Sequence, residues 1–182
     1  MRDVYLGDSY DLVKRCWCEN LCSVAPLFAH PRFIKEGLRT SYTMLTKMSV
    51  LDPNTLPDTP FAVFFDPHTG IPLPTEALCG KGISHATLPF IVEVNKKCHP
   101  SYMVCFDQSY HRSNKLTVDE QRESKRAFLR QQGIASFYYI SHASFLFMAE
   151  KEAMLGAVRE RLLEIGIPEK TPRTVRLQGI SQ

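Results

Sequence analysis

Three short apolar runs in this chain each close on an aspartate. Val4 to Leu6 leads through Gly7 to Asp8, Phe61 to Phe65 ends at Asp66, and Tyr102 to Phe106 ends at Asp107. If the runs are parallel neighbouring strands, the three carboxylates converge. Close carboxylates repel, and buried ones are costly to keep ionised, so such a cluster is relieved by a divalent cation or by raised pKa values. Magnesium or manganese would suit it, because both prefer oxygen ligands. Asp8, Asp66 and Asp107 are therefore the candidate metal ligands. For any one of them the simpler role is to cap the following helix, as Asp8 can do for a helix beginning near Tyr10.

The residues around these aspartates suit phosphate or base chemistry. Asp11 and Lys14 are three apart directly after Asp8, so a carboxylate and an ammonium share one helical face. Asp66-Pro67-His68-Thr69-Gly70 places a rigid turn after an apolar run, a geometry that lets backbone approach a ligand closely. Beyond Asp107 stand Gln108, Ser109, Tyr110, His111 and Arg112. His111 is the candidate general acid or base, and Arg112 with Lys14 the candidate partner for phosphate charge. His142 follows a fourth apolar run. Arg122, Lys125, Arg126 and Arg130 recur on one helical segment, and Lys170, Arg173 and Arg176 follow near the end. The first group is the candidate nucleic-acid face, although a solvated helix face explains such a pattern more simply.

The elements that must position these groups alternate. Strands are expected at Val4 to Leu6, Val24 to Phe28, Phe61 to Phe65 and Tyr102 to Phe106. Phe61 to Phe65 is apolar throughout, as a strand covered on both faces must be. Helices are expected at Tyr10 to Cys22, with Leu12, Val13, Cys16, Trp17 and Leu21 near helical spacing, and at Glu36 to Lys47. Ser84 can cap another through Phe90 to Asn95, in which Pro89 restricts the first turns. Thr117 and Glu120 form a capping box, and Gly133 marks the end of that helix. Phe137 to Ile140 and Phe145 to Met148 suggest a hairpin, and Lys151 to Ile165 a last helix ending at Gly166 and Pro168. The alternation implies an α/β fold: a mostly parallel sheet covered on both faces, with an antiparallel hairpin near the C-terminus. Residues 1–167 are read as a single α/β domain and 168–182 as a flexible basic tail. Ligands in such sheets bind at the carboxyl ends of the strands, where the aspartates are expected.

The bulk numbers set the frame. At 182 residues, with 44% hydrophobic and 23% charged side chains, the chain has the size and balance of one globular domain. No apolar run approaches the roughly 20 residues that cross a bilayer, and the first residues lack the pattern of a secretory signal, so a cytoplasmic protein is expected. A net charge of +3 permits a nucleic-acid partner without requiring one. Cys16, Cys18 and Cys22 are close in sequence, but no second ligand pair accompanies them, and they read as buried apolar thiols rather than zinc ligands.

The stretch Gly7-Asp8-Ser9-Tyr10-Asp11-Leu12-Val13-Lys14 resembles the G-D-x-x-D-x-x-K opening of a group of uncharacterised bacterial proteins. In that group a later strand ends in D-P-x-x-G and another in a Gln-His loop with a nearby Arg, matched here by Asp66 to Gly70 and by Gln108, His111 and Arg112. More distantly, the chain is similar to ribosomal RNA adenine methyltransferases that open with G-N-x-A-D-x-x-K-H and carry D-P-P-Y after a strand, and to the three-Cys-motif partner proteins. The likeness implies a Rossmann-like, methyltransferase-like three-layer fold. Two motifs depart from it: Leu27 to Gly37 holds one late glycine where a cofactor loop should lie, and His68 and Thr69 replace the second proline and the tyrosine. Three functions are therefore expected in competition. The first is a metal-dependent nuclease using Asp8, Asp66 and Asp107 for magnesium or manganese, with Asp11, Lys14, His111 and Arg112 in its catalytic site. The second is a nucleic-acid methyltransferase dependent on S-adenosylmethionine, with Asp66 and Pro67 as its catalytic turn. The third is a non-catalytic binding partner on the same scaffold.

Overall fold

A run such as Ala62 to Phe65, with no polar residue at either parity, cannot leave one face to water. In the computed structural model, which describes residues 6–74, 84–111, 115–140 and 143–166, it forms the buried strand β2 (Ala62–Phe65). Its neighbours are β1 (Leu27–Ala29) and β3 (Tyr102–Phe106), both parallel to it. The sheet is completed by β5 (Ser144–Ala149), antiparallel to β3, and β4 (Ala135–Ile140), antiparallel to β5, in the order β1-β2-β3-β5-β4. The architecture is thus mixed α/β, with a five-stranded mixed sheet.

Alternation along each strand divides the core in two. Ala62, Phe64, Tyr102, Val104, Phe145 and Phe147 face one way. There they meet α1 (Ser9–Leu21), α2 (Arg39–Thr46) and α5 (Glu152–Glu164) through Trp17, Tyr42 and Val158. Val63, Phe65, Met103, Cys105, Leu146 and Met148 face the other way, against α3 (Leu88–Cys98) and α4 (Val118–Gln131) through Ile91 and Leu129. Trp17 anchors the first core by edge-to-face contacts with Tyr139, Phe145 and Phe147, at 5.6 to 6.2 Å between ring centroids.

Several boundaries differ from the sequence expectation. Leu6 lies in a turn, and the rest of the expected strand at Val4 to Leu6 lies outside the described residues, as does the expected tail. The strand expected at Val24 to Phe28 is β1, displaced to Leu27–Ala29. Of the helix expected at Glu36 to Lys47, the first residues form a 3-10 turn over Glu36–Leu38, and Lys47 ends α2 in the left-handed region at φ 61°. Thr87, not Ser84, caps α3, its hydroxyl accepting from Phe90 N. Pro89 then falls in the first turn, where no intrahelical donor is lost, so α3 continues to Cys98. The capping box of Thr117 and Glu120 opens α4, and Gly133 follows its end at φ +75°. No helix among the described residues is long and apolar enough to cross a membrane.

Candidate functional site

Parallel strands end together, so Asp66 after β2 and Asp107 after β3 lie on one edge of the sheet. Asp8 reaches that edge from the start of α1 and lines a cavity of about 230 Å³ with Tyr10, Lys14, Asp66, Pro67 and Phe106. The inward stripe of α1, Asp11, Lys14, Trp17 and Leu21, recurs every three or four residues and sends two charged side chains into the protein. Lys14 Nζ donates to Asp11 Oδ1 at 2.9 Å and to Asp66 Oδ2 at 2.8 Å, with all three side chains almost sealed from solvent. Burial pulls the Lys14 pKa down, but the charges of Asp66 and Asp11 and their hydrogen bonds outweigh it and leave the ammonium above its usual value. Asp11 is further fixed by Gly7 N, which donates to Oδ2 at 2.7 Å. Asp8 Oδ1 caps α1, accepting from Tyr10 N at 2.9 Å and Asp11 N at 3.2 Å.

One acceptor in this cluster is unclaimed. Asp66 gives Oδ2 to Lys14, while Oδ1 accepts no hydrogen bond from the described residues, although Asp66 lines the cavity. The fully buried Tyr42 hydroxyl lies beside Asp66 and Asp11, and burial followed by those two charges pushes its pKa well up, yet it makes no hydrogen bond of acceptable geometry.

Asp107 is the opposite case. Its Oδ1 accepts from Ile71 N at 2.9 Å and Ser109 N at 3.1 Å, with Ser109 Oγ at 2.7 Å. Its Oδ2 accepts from Lys125 Nζ at 2.8 Å and the Tyr138 hydroxyl at 2.6 Å. Burial first, then the Asp107 charge and this bond, hold the Tyr138 pKa well above its ordinary value. Gly70 makes the arrangement possible. A Cβ there would stand 2.3 Å from Asp107 Oδ1 and 2.9 Å from the amides of Gln108 and Ser109, at a φ of +109° that side chains rarely adopt.

A second cavity, of about 410 Å³, adjoins the first and shares His68 and Gln108 with it. His85, Ser109 and His111 contribute to its lining. Gln121 clamps the His111 backbone, accepting from its N at 3.0 Å and donating to its O at 3.1 Å, and His111 itself is exposed. Gln108 Nε2 donates to the Tyr10 hydroxyl at 2.9 Å and so ties the end of β3 to α1. Arg112 and His142 lie outside the described residues.

The geometry corrects two expectations and bears on a third. Among the described residues no three His, Cys, Asp or Glu side chains are grouped to hold an ion; Asp107 turns both oxygens to protein donors and Asp66 gives one to Lys14. Lys125 does not belong to an exposed basic face. With Gln121 and Leu129, four residues either way, it lies on the buried stripe of α4, and it is 1% exposed. The remaining three are engaged close by: Arg122 with Asp119 and Ser144, and Arg126 and Arg130 with Glu123. The clustered cysteines are not buried either, Cys16 and Cys18 being half-buried and Cys22 exposed, and all three are free thiols.

Sequence reading missed His30, Tyr42 and Tyr138, and set Lys125 on an exposed face where the structure buries it. The i, i+4, i+8 spacing of Gln121, Lys125 and Leu129 was a usable signal for Lys125. His30 follows β1 on the same edge as Asp66, where a cofactor loop was expected. There the chain turns through a 3-10 segment, Pro31–Phe33, and the His30 ring packs on Phe65, Phe33 and Phe90. Burial, followed by the nearby Arg32 charge, lowers the His30 pKa to about 4. Compared with known proteins, the chain matches no family model, no curated protein sequence and no solved structure.

Proposed function

We propose that the crevice beyond β2 and β3 binds a nucleotide, free or as one unit of a nucleic acid, through its base, on a Rossmann-like scaffold whose C-terminal strands form an antiparallel hairpin. The observation that carries this reading is Asp66, a buried carboxylate lining the cavity, whose Oδ1 accepts no hydrogen bond of ordinary geometry from the described residues although the Tyr42 hydroxyl lies beside it. Such an acceptor calls for a ligand N–H of the kind an exocyclic base amine supplies. Lys14 holds the carboxylate in place at 2.8 Å, and Tyr10, Pro67 and Phe106 give the same cavity apolar walls. At about 230 Å³ this cavity is smaller than the roughly 300 Å³ at which pockets for drug-sized ligands begin, so it suits one ring system rather than a whole dinucleotide. The adjoining cavity, with His68, His85 and His111, would receive the sugar and phosphate.

A metal-dependent nuclease is less well supported, because its ion would have to displace Lys14 or Lys125 from the carboxylates they neutralise. Methyl transfer keeps support only from the Asp66-Pro67 turn. The packed rings of His30, Phe33, Phe65 and Phe90 occupy the end of β1, where the methyl donor would be held.

Calorimetric titration separates the three. Heat on adding adenosine monophosphate is expected, with binding at least about tenfold weaker for purine riboside monophosphate, which has neither the exocyclic amine nor an N1–H and would leave Asp66 unpaired. Heat only with magnesium or manganese would favour the nuclease, and heat only with S-adenosylmethionine the methyltransferase.

A further inference from the structure

His68, from the turn after β2, and Gln108, from the turn after β3, line both cavities of the crevice and so stand at their junction. The backbone around Gln108 is fixed: Asp107 N donates to Ser144 O at 3.0 Å, and Ser109 N donates to Asp107 Oδ1 at 3.1 Å. The Gln108 side chain is exposed, and one end of its carboxamide is held, with Nε2 donating to the Tyr10 hydroxyl at 2.9 Å. Tyr10 is seated in turn against the end of β3, its ring edge-on to Phe106 at 5.3 Å between centroids. Gln108 Oε1 accepts no hydrogen bond from the described residues, and the second N–H of Nε2 donates none. The junction therefore carries a positioned amide with one acceptor and one donor to offer.

A nucleotide with its base in the smaller cavity and its phosphate in the larger passes its glycosidic bond through that junction. The sugar atoms beside this bond are the ring oxygen and the carbon that bears the 2′-hydroxyl. The hydroxyl both donates and accepts, so it can use either group of a carboxamide, whereas the ring oxygen only accepts. A deoxyribose keeps the ring oxygen and presents a carbon with hydrogens alone in place of the hydroxyl, which leaves Oε1 without a donor.

We propose that Gln108 reads the ribose 2′-hydroxyl, so that the crevice takes ribonucleotides in preference to 2′-deoxyribonucleotides. Tyr10 holds one end of the carboxamide, and the sugar hydroxyl takes the other. The assignment rests on the nucleotide reading above and narrows it: a nucleic acid bound there is RNA rather than DNA.

The test is calorimetric titration of wild type and Gln108→Met with adenosine monophosphate, 2′-deoxyadenosine monophosphate, and short oligoadenylates of RNA and of DNA. Wild type should bind the ribose form about fivefold more tightly than the deoxyribose form, the worth of one neutral hydrogen bond. The two pairs of ligands separate a free nucleotide from a chain as the source of the ribose. The preference in either pair supports the assignment, and binding without it in both overturns the assignment alone. Methionine keeps the length of the side chain and removes the amide, so in Gln108→Met the ribose form should fall to the affinity of the deoxyribose form. A loss shared equally by both forms would show that Gln108 only fastens β3 to α1, and an undiminished preference would show that another group reads the sugar; either overturns the proposal. Gln108 is exposed, and circular dichroism checks that the variant is folded. No binding of any adenine ligand by wild type would overturn the nucleotide reading and this assignment with it.

Discussion

Replacing Asp107 with asparagine should cost far more stability than the same change at Asp66, although both are buried aspartates after adjacent strands and both pair with a lysine at 2.8 Å. Lys14 retains a second carboxylate, Asp11 at 2.9 Å, when Asp66 is neutralised, whereas among the described residues Asp107 is the one carboxylate paired with Lys125. Asparagine at 107 also has no good orientation. With its oxygen toward Lys125 and Tyr138, its amide meets the N–H groups of Ile71 and Ser109, and the flipped amide meets Lys125 instead. Breaking a buried ion pair from one side costs about 3–5 kcal/mol. At Asp66 the loss should stay near the roughly 1.5–3 kcal/mol of a single charge-assisted bond, because Lys14 is not stranded. With a urea slope of roughly 2 kcal/mol/M, the two midpoints should differ by about 1 M. Urea unfolding at neutral pH, followed by circular dichroism, measures this directly. Adding Lys125→Met to Asp107→Asn should recover part of the loss by removing the stranded ammonium. Equal midpoints for the two asparagine variants would refute the assignment of Asp107 to the framework and return its carboxylate to the candidates for chemistry.

Three further outcomes are expected. Gly70→Ala should destabilise the fold by about 3 kcal/mol or more, combining a disallowed φ with a Cβ driven into Asp107; thermal unfolding tests it, and a loss below about 1 kcal/mol would contradict it. His30 should make the protein acid-sensitive: its folded pKa of about 4 lies below the usual 6.5, so the unfolded chain takes up a proton that the folded one refuses. Stability should therefore fall as pH drops through that window, by up to about 3 kcal/mol, and His30→Asn should flatten the slope in urea titrations between those pH values. Tyr42→Phe, which deletes a buried hydroxyl without a hydrogen bond, should leave stability unchanged or raise it by about 1 kcal/mol; a loss of that size would show that the hydroxyl has a partner.

Much of the framework was legible because it rests on local signals. Residues 61–65 and 102–106 are apolar at both parities, which only a strand covered on both faces requires. The Thr117 and Glu120 pair and Gly133 delimit α4 from within its own sequence. The roles of the charged residues were less legible, because their partners come from distant segments. Asp107 looks like a free carboxylate until Ile71, Lys125 and Tyr138 fold around it. Lys125 resembles its exposed neighbours until α4 is wound and the stripe of Gln121 and Leu129 turns inward. His30 drew no attention, since a histidine before a proline has no signature until Phe33, Phe65 and Phe90 surround it.

The most direct test of the nucleotide reading is a titration of isotopically labelled protein with adenosine monophosphate, followed by amide chemical shifts in the wild type and in Asp66→Asn. Asparagine at 66 must turn its oxygen to Lys14, which leaves an amide donor facing the donor of the base. The account predicts shifts concentrated at Tyr10, His68 and Gln108 and absent at Phe137 and Arg130, with affinity reduced at least about tenfold in the variant. Unaltered affinity in Asp66→Asn, or shifts that miss the crevice, would contradict it.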